Sequence, residues 1–391
     1  MTFQKREKAV LPHIVAGTNS LGYPQRRNFV SLPFKKYRFK KYYDLYSVME
    51  RVYYRLSHRS SYYFLNTFND FGLQSAPFFH FFNTISFGKK PWLTTFETDL
   101  PRWGDFVSVK KAERAIRALA GSDCKAIIAI SESTAAHQRA RMDKYYSSYK
   151  DALYSKMQIL HPPQALCVKE YGLKKLDSDY ITFTLVGNEL FTKGGREVLR
   201  VFDRLLEKKM SVKLHIVSGF EYGDYATKST VDDVTEAVRI TAKYPENIFR
   251  HSQLPNVKVL ELLNLSHIGI LTSWADTYGY SVLEAQASGC PVITTNVRAL
   301  PEINDADAGW VIPVPVNSLG DALCITPEER KKFSDLLTEQ LYIVIKDIID
   351  NPAQIETKGK KSIERIVKFH NPEDCAERLE KIYDLILAVG S

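Results

Sequence analysis

The feature that most constrains this chain is an alternation between short apolar runs and stretches of helical periodicity, clearest between residues 181 and 294. Strands are expected at Ile181 to Val186, Lys213 to Val217, Asn247 to Phe249, His267 to Leu271 and Val292 to Thr294. Helices are expected at Gly195 to Lys208, Asp232 to Lys243 and Val257 to Leu265. Strands that are apolar on both faces and separated by helices belong to a parallel sheet covered on both sides. The same alternation occurs upstream. Pro77 to Phe82 and Pro91 to Phe96 read as buried strands. A helix over Ser108 to Ala120 ends at Gly121, a strand covers Ala126 to Ile130, and a helix covers Ser131 to Tyr145. A last strand, Met157 to Leu160, stops at His161, Pro162 and Pro163. Residues 164–179 are mixed and polar and read as a linker. Glu328 to Leu387 reads as helices broken near Pro352 and Pro372. A single core stops growing near ~250 residues, so 391 residues call for two domains. The expected fold class is α/β, with two doubly wound domains, 1–165 and 180–370, facing a cleft, and a final helix in 371–391.

Composition narrows the function classes. With 45% apolar and 25% charged residues the chain is neither disordered nor a disulfide scaffold. Five cysteines, far apart and without a CxxC pair, suit a reducing compartment. No apolar run approaches the ~20 residues of a membrane helix, and the opening MTFQKREKAVLPHIVAG makes a poor signal peptide, so a cytoplasmic protein is expected. The net charge of +8 is concentrated at the front, where residues 1–60 hold 13 Lys and Arg against three acids. Within it Lys35, Lys36, Arg38, Lys40 and Lys41 alternate with Phe34, Tyr37, Phe39, Tyr42 and Tyr43. Such a pattern suits a phosphate backbone or the inner face of an anionic membrane, and equally a solvated loop or strand of an aromatic-rich domain. The first 60 to 90 residues show few clear periods.

Two segments carry chemistry. In TSWADTYGYSVLEAQASG, Thr272 to Gly289, a strand ends at Thr272 and Ser273, Gly279 permits close backbone approach, and a helix starts near Tyr280. The unpaired amides of that start suit an anion. Asp276 lies ahead of the helix and Glu284 about one turn inside it. A carboxylate accepts two hydrogen bonds side by side and so suits a sugar diol. The plainer reading of both acids is favourable placement near a helix N-terminus. In VGNELFTKGG, Val186 to Gly195, Lys193 stands with Gly194 and Gly195 at the next helix start, where a phosphate would sit.

Together these segments resemble the C-terminal domain of the GT-B glycosyltransferases, most closely glycosyltransferase family 4, the retaining enzymes that use nucleotide sugars. The resemblance runs from about Tyr180 to Ile382 and includes NVKVLELLNLSHIGILTS, LPEIN, AGWVIPV and HNPEDCAERLEKIYDLI. The last of these is similar to the family's helix that crosses back to the first domain. It implies that Lys193 contacts the donor diphosphate with the amides of Gly279, Tyr280 and Ser281 and the loop residues Gly187, Asn188 and Gly194. Glu284 would hold the ribose and Asp276 would touch the transferred sugar. The family commonly has glutamate at the position of Asp276 and arginine at that of Asn188. In the first domain Glu97 stands where the family often has a histidine, as a sugar contact or base, and His80 is a further cleft candidate against the plainer reading of a core histidine. Gly17 or Gly22 would supply the first domain's glycine loop.

The resemblance implies a hexosyltransferase acting on a UDP- or GDP-linked sugar and a glycan or lipid-linked acceptor, as in polysaccharide biosynthesis; the basic, aromatic front adds the separate expectation of a peripheral place at the inner face of the membrane. No cofactor or essential divalent metal is expected: the acidic pairs Asp177/Asp179 and Asp305/Asp307 lie in loops that no strand feeds. Catalysis would fall to Lys193, Asp276 and Glu97. A nucleotide-sugar epimerase of the same architecture and a noncatalytic membrane- or nucleic-acid-binding protein remain as alternatives, with nucleic acid the less expected partner.

Overall fold

The computed structural model describes residues 13–58, 64–103, 107–177 and 179–388. The chain divides into two compact units. One comprises residues 1–130, 134–163 and 372–391, the other 131–133 and 164–371.

The first unit holds a six-stranded parallel sheet. Its strands are β1 (Ile14–Thr18), β2 (Tyr37–Lys41), β3 (Phe79–Phe82), β4 (Trp92–Phe96), β5 (Cys124–Ala129) and β6 (Met157–Ile159), in the order β2-β1-β3-β4-β5-β6. Between them run α1 (Leu45–Ser57), α2 (Val109–Ala120) and α3 (Glu132–Tyr145), with short helical turns and a two-stranded pair, Thr67–Phe68 with Ile85–Ser86. Residues Ala112, Ala115, Ile116 and Leu119 recur at helical spacing on α2 and are buried against the sheet. Phe68, Phe79, Phe81, Trp92 and Phe96 form an aromatic core.

Structure in the front of the chain goes beyond what its periodicity announced. The basic, aromatic run forms the edge strand β2 and the turn ahead of it: Tyr37 is buried, while Lys35 and Lys36 in that turn are exposed. Its job includes holding the terminal helix. One carboxylate oxygen of Glu380 accepts the Lys35 and Lys36 amides at 2.7 Å each. Lys35 pairs with Glu377 at 2.7 Å and Lys36 with Asp384 at 2.6 Å.

The second unit repeats the plan. Its strands are β7 (Ile181–Val186), β8 (Val212–Val217), β9 (Ile248–His251), β10 (Ile268–Leu271), β11 (Val292–Thr295) and β12 (Gly309–Ile312), all parallel in the order β9-β8-β7-β10-β11-β12. Its longer helices are α4 (Gly195–Glu207), α5 (Val231–Lys243), α6 (Asn256–Asn264), α7 (Tyr280–Ala287), α8 (Pro327–Asp350) and α9 (Ala353–Phe369), with a single turn at Leu300–Ile303. The four residues of β10 and of β11 are buried throughout, as strands covered on both faces must be. At Gly269 a Cβ would lie 2.9 Å from Ala285 Cβ, so this glycine lets α7 sit tight on β10. The last helix, α10 (Pro372–Ala388), belongs to the first unit. Among the described residues no helix is long and apolar enough to cross a membrane.

Candidate functional site

Strands β7 and β10 are neighbours, so the loops that leave their C-terminal ends emerge side by side, where ligands of open parallel sheets bind. These loops are Gly187 to Gly194, entering α4, and Thr272 to Gly279, entering α7. Backbone contacts hold them together. The Trp274 amide donates to the Thr192 carbonyl at 2.9 Å, and the Ser273 hydroxyl donates to the same oxygen at 3.0 Å. Gly194 has φ +78°, and a Cβ there would lie 2.3 Å from the Thr272 carbonyl oxygen. Both the left-handed backbone and the close approach require glycine. The Trp274 indole is buried and packs on Phe333 of α8 at 4.2 Å between centroids, anchoring the second loop in the core.

This frame fixes Lys193. Its stem lies over Gly187, where a Cβ would stand 2.8 Å from Lys193 Cγ. Lys193 Nζ donates to Asp276 Oδ2 at 2.7 Å, with the two side chains 19% and 13% exposed. Asp276 Oδ1 accepts the Tyr278 amide at 3.1 Å. Both carboxylate oxygens of Asp276 are therefore engaged. The chain then turns into α7 through Gly279, at φ +97°, whose missing side chain leaves room for Leu300 and Ile303. Tyr280 and Ser281 form the first turn. Glu284, one turn on, is 8% exposed and accepts from Asn256 Nδ2 at 2.9 Å.

Lys193, Asp276, Gly279, Tyr280, Ser281 and Glu284 are thus gathered around one helix start, with Gly187 and Gly194 shaping the lysine loop. Asn188 is exposed beside them. Sequence reasoning missed Asn256, which orients Glu284 from the head of α6, and Trp274, which anchors the loop. An asparagine beginning a helix and a tryptophan in an otherwise polar loop were the available signals. The loop after β8 folds onto the end of β9: Arg250 of β9 lies over the Phe220 ring at 4.0 Å, and within the sheet His215 Nδ1 of β8 is 3.4 Å from His251 Nε2 of β9. Burial lowers the pKa of His215 to about 4.

In the first unit the candidates part company. Glu97 follows the last residue of β4. Its amide donates to Asn83 Oδ1 at 3.1 Å, and its carboxylate accepts from Asn83 Nδ2 at 3.0 Å and from the Arg102 guanidinium. Of the two readings of His80, cleft candidate and core histidine, the second holds: it is a core residue with no exposed surface. Its Nδ1 bonds the Tyr383 hydroxyl of α10 and its Nε2 bonds Thr95 Oγ1, each at 2.8 Å, and its ring stacks on Phe29 at 3.8 Å. Burial lowers its pKa to about 3. The PFFHFF strand is buried on both faces, so its histidine is spent on holding α10.

Gly17 lies within β1, packed under Phe79, rather than in a loop; Gly22 directly precedes a short helical turn. The acidic pairs serve loop structure. Asp177 pairs with Lys213 at 2.9 Å, and Asp305 accepts the Asp307 and Ala308 amides at 3.0 Å each. Ser178 between the first pair lies outside the described residues. No group of three or more His, Cys, Asp or Glu that could hold a metal ion occurs among the described residues.

Residues 173–332 match the family described as "Glycosyl transferases group 1". The phosphatidylinositol N-acetylglucosaminyltransferase gpi3 subunit of Schizosaccharomyces pombe is 25% identical over 227 residues, covering 57% of this chain and 43% of that protein. The chain spans less than half the length of the curated relatives it matches. Sucrose-phosphate synthase from Thermosynechococcus elongatus has a similar structure, with a TM-score of 0.53, 17% identity and coverage of 80% of this chain and 74% of that one. WaaG, a glycosyltransferase involved in lipopolysaccharide biosynthesis, aligns with a TM-score of 0.52 and 16% identity over 77% of each chain. These likenesses show the fold: two Rossmann-like parallel-sheet domains of the GT-B type.

Proposed function

From the chain's place in the GT-B glycosyltransferase superfamily, we propose that it is a retaining hexosyltransferase of glycosyltransferase family 4. It moves a sugar from a UDP- or GDP-linked donor to a glycan or lipid-linked acceptor. One observation carries this reading: the Lys193 ammonium is held by its loop and by Asp276 beside the first turn of α7, with Glu284 fixed one turn further on.

As the glycosidic bond to the diphosphate breaks, negative charge collects on the leaving phosphate. A fixed ammonium and the oriented amides of Gly279 to Ser281 neutralise that charge without reorganisation, which is the main source of rate in such transfers. Asp276 holds Lys193 in place before the donor arrives. Once the diphosphate takes over the ammonium, the Asp276 carboxylate is released toward the sugar. Glu284, steadied by Asn256, accepts the ribose hydroxyls. Lys193 takes the role that a divalent cation plays elsewhere, so turnover requires no metal.

The test is incubation of the chain with UDP- and GDP-hexoses, with and without a chelator, followed by assignment of the anomeric configuration of the product. Donor turnover with retained configuration, unaffected by chelation and lost in Lys193→Ala, supports the reading. Inverted product, strict metal dependence or full activity in Lys193→Ala defeats it. Release of an epimerised sugar without acceptor would establish the epimerase alternative instead.

A further inference from the structure

A helix that packs on a sheet turns its apolar stripe inward. The helix α1 does the reverse. None of its thirteen side chains is buried, and Val48, Met49, Val52, Tyr53 and Leu56 are 40%, 44%, 53%, 43% and 81% exposed. The spacing of these five places them on one face. The helix is tied down by other groups: Tyr46 meets Phe64 and Phe71 edge-on at 5.3 and 5.9 Å, and Asp44 caps its start by accepting the Tyr46 amide at 3.0 Å. An outward apolar stripe on an otherwise well-capped helix marks an interaction surface.

The charges around the stripe say what covers it. Arg51 and Arg55 are exposed along its Val48 and Val52 edge, Arg38, Lys40 and Lys41 are exposed on β2 just ahead, and Tyr43 between them is 78% exposed. Arg114 of α2 reaches the Tyr46 hydroxyl at 3.5 Å. Among the described residues of α1 and the loops that flank it, Asp44 and Asp70 are buried and Glu50 is half-buried. A second copy of the chain would set these cations against their own equivalents. A neutral apolar partner would leave the arginines unpaired.

We infer that α1 lies flat on an anionic lipid bilayer, with Val48, Met49, Val52 and Leu56 entering the acyl boundary and Arg51, Arg55, Lys40 and Lys41 on lipid phosphates. The surface differs from the one that the alternating basic run suggested, because Lys35 and Lys36 are committed to Glu377 and Asp384. It goes beyond the donor-site reading and does not depend on it.

The experiment is co-sedimentation of the full chain with vesicles of phosphatidylcholine alone and of equal parts phosphatidylcholine and phosphatidylglycerol. The parent binds the anionic vesicles and binds the neutral ones roughly tenfold or more weakly. Val52→Glu with Leu56→Glu, and separately Arg51→Glu with Arg55→Glu, each weaken anionic binding by roughly tenfold or more at an unchanged melting temperature. The second pair leaves the apolar stripe intact, so it also guards against a folding defect in the first. No binding by the parent, equal binding to both vesicles, or parent-like binding by the variants overturns the inference. So does self-association of the parent that Val52→Glu with Leu56→Glu abolishes, since a second copy would then cover the face.

Discussion

Replacing Asp276 by asparagine is expected to tighten nucleoside diphosphate binding while slowing transfer. The Asp276 carboxylate pairs with the Lys193 ammonium at 2.7 Å. A diphosphate oxygen taking the same ammonium would stand about 4–5 Å from that carboxylate, given ordinary hydrogen-bond lengths. At an effective dielectric of about 20, two like charges at that distance repel by roughly 3–4 kcal/mol. Solvent at these partly exposed groups screens much of this repulsion, and the variant also loses the anchor that orients Lys193, so a net gain of about 1 kcal/mol remains. UDP or GDP should then bind about fivefold more tightly to Asp276→Asn by calorimetry. Transfer to acceptor should fall, because the variant lacks the carboxylate proposed to turn toward the sugar. Tenfold weaker nucleotide binding by Asp276→Asn would refute the view that the acid competes with the diphosphate for the ammonium.

Two further outcomes are expected. Glu284→Ala should weaken UDP or GDP by about tenfold while leaving inorganic pyrophosphate binding unchanged, as the proposed role of its side chain on the ribose requires; equal loss for both ligands would contradict that role. Stability should fall with acid as the His80 ring enforces neutrality. Its pKa is lowered to about 3 by burial against about 6.5 in the unfolded chain. The unfolded state therefore takes up the proton first, and folded stability declines from about pH 6.5 down to about pH 3. Asp44, raised to about 6 by burial, acts oppositely between about pH 4 and pH 6, but over a smaller shift. His80→Gln should cost about 1–3 kcal/mol at neutral pH, through the lost bond to Tyr383 or Thr95, and should flatten the acid decline. Urea unfolding at neutral pH and near pH 4.5 measures both; parallel pH profiles for parent and variant would show that His80 does not set the slope.

Much of the second unit was legible because its strands are short, apolar and bounded by helices with clean periodicity. Ile181–Val186 matches its sequence expectation residue for residue, and α7 starts at Tyr280 as Gly279 required. The first unit was harder. Its β2 alternates cation and aromatic in a pattern that serves a strand edge or a membrane equally well, and α1 shows an apolar stripe that never enters the core. β12 was missed because Gly309–Ile312 opens on a glycine and leaves Trp310 and Val311 only half-buried, so it lacks the fully apolar run that marks β10 and β11. Side-chain commitments lie beyond any periodicity. That His80 is spent on Tyr383, Lys35 on Glu377 and Glu97 on Arg102 depends on pairs separated in sequence by as many as 342 residues.

The most direct test of the donor site is amide hydrogen exchange with and without saturating UDP or GDP. A diphosphate seated on the first turn of α7 slows exchange in Gly279 to Leu283 and in the Lys193 loop, and Lys193→Ala removes that protection. Unchanged exchange in both segments while the nucleotide is bound elsewhere would contradict the account.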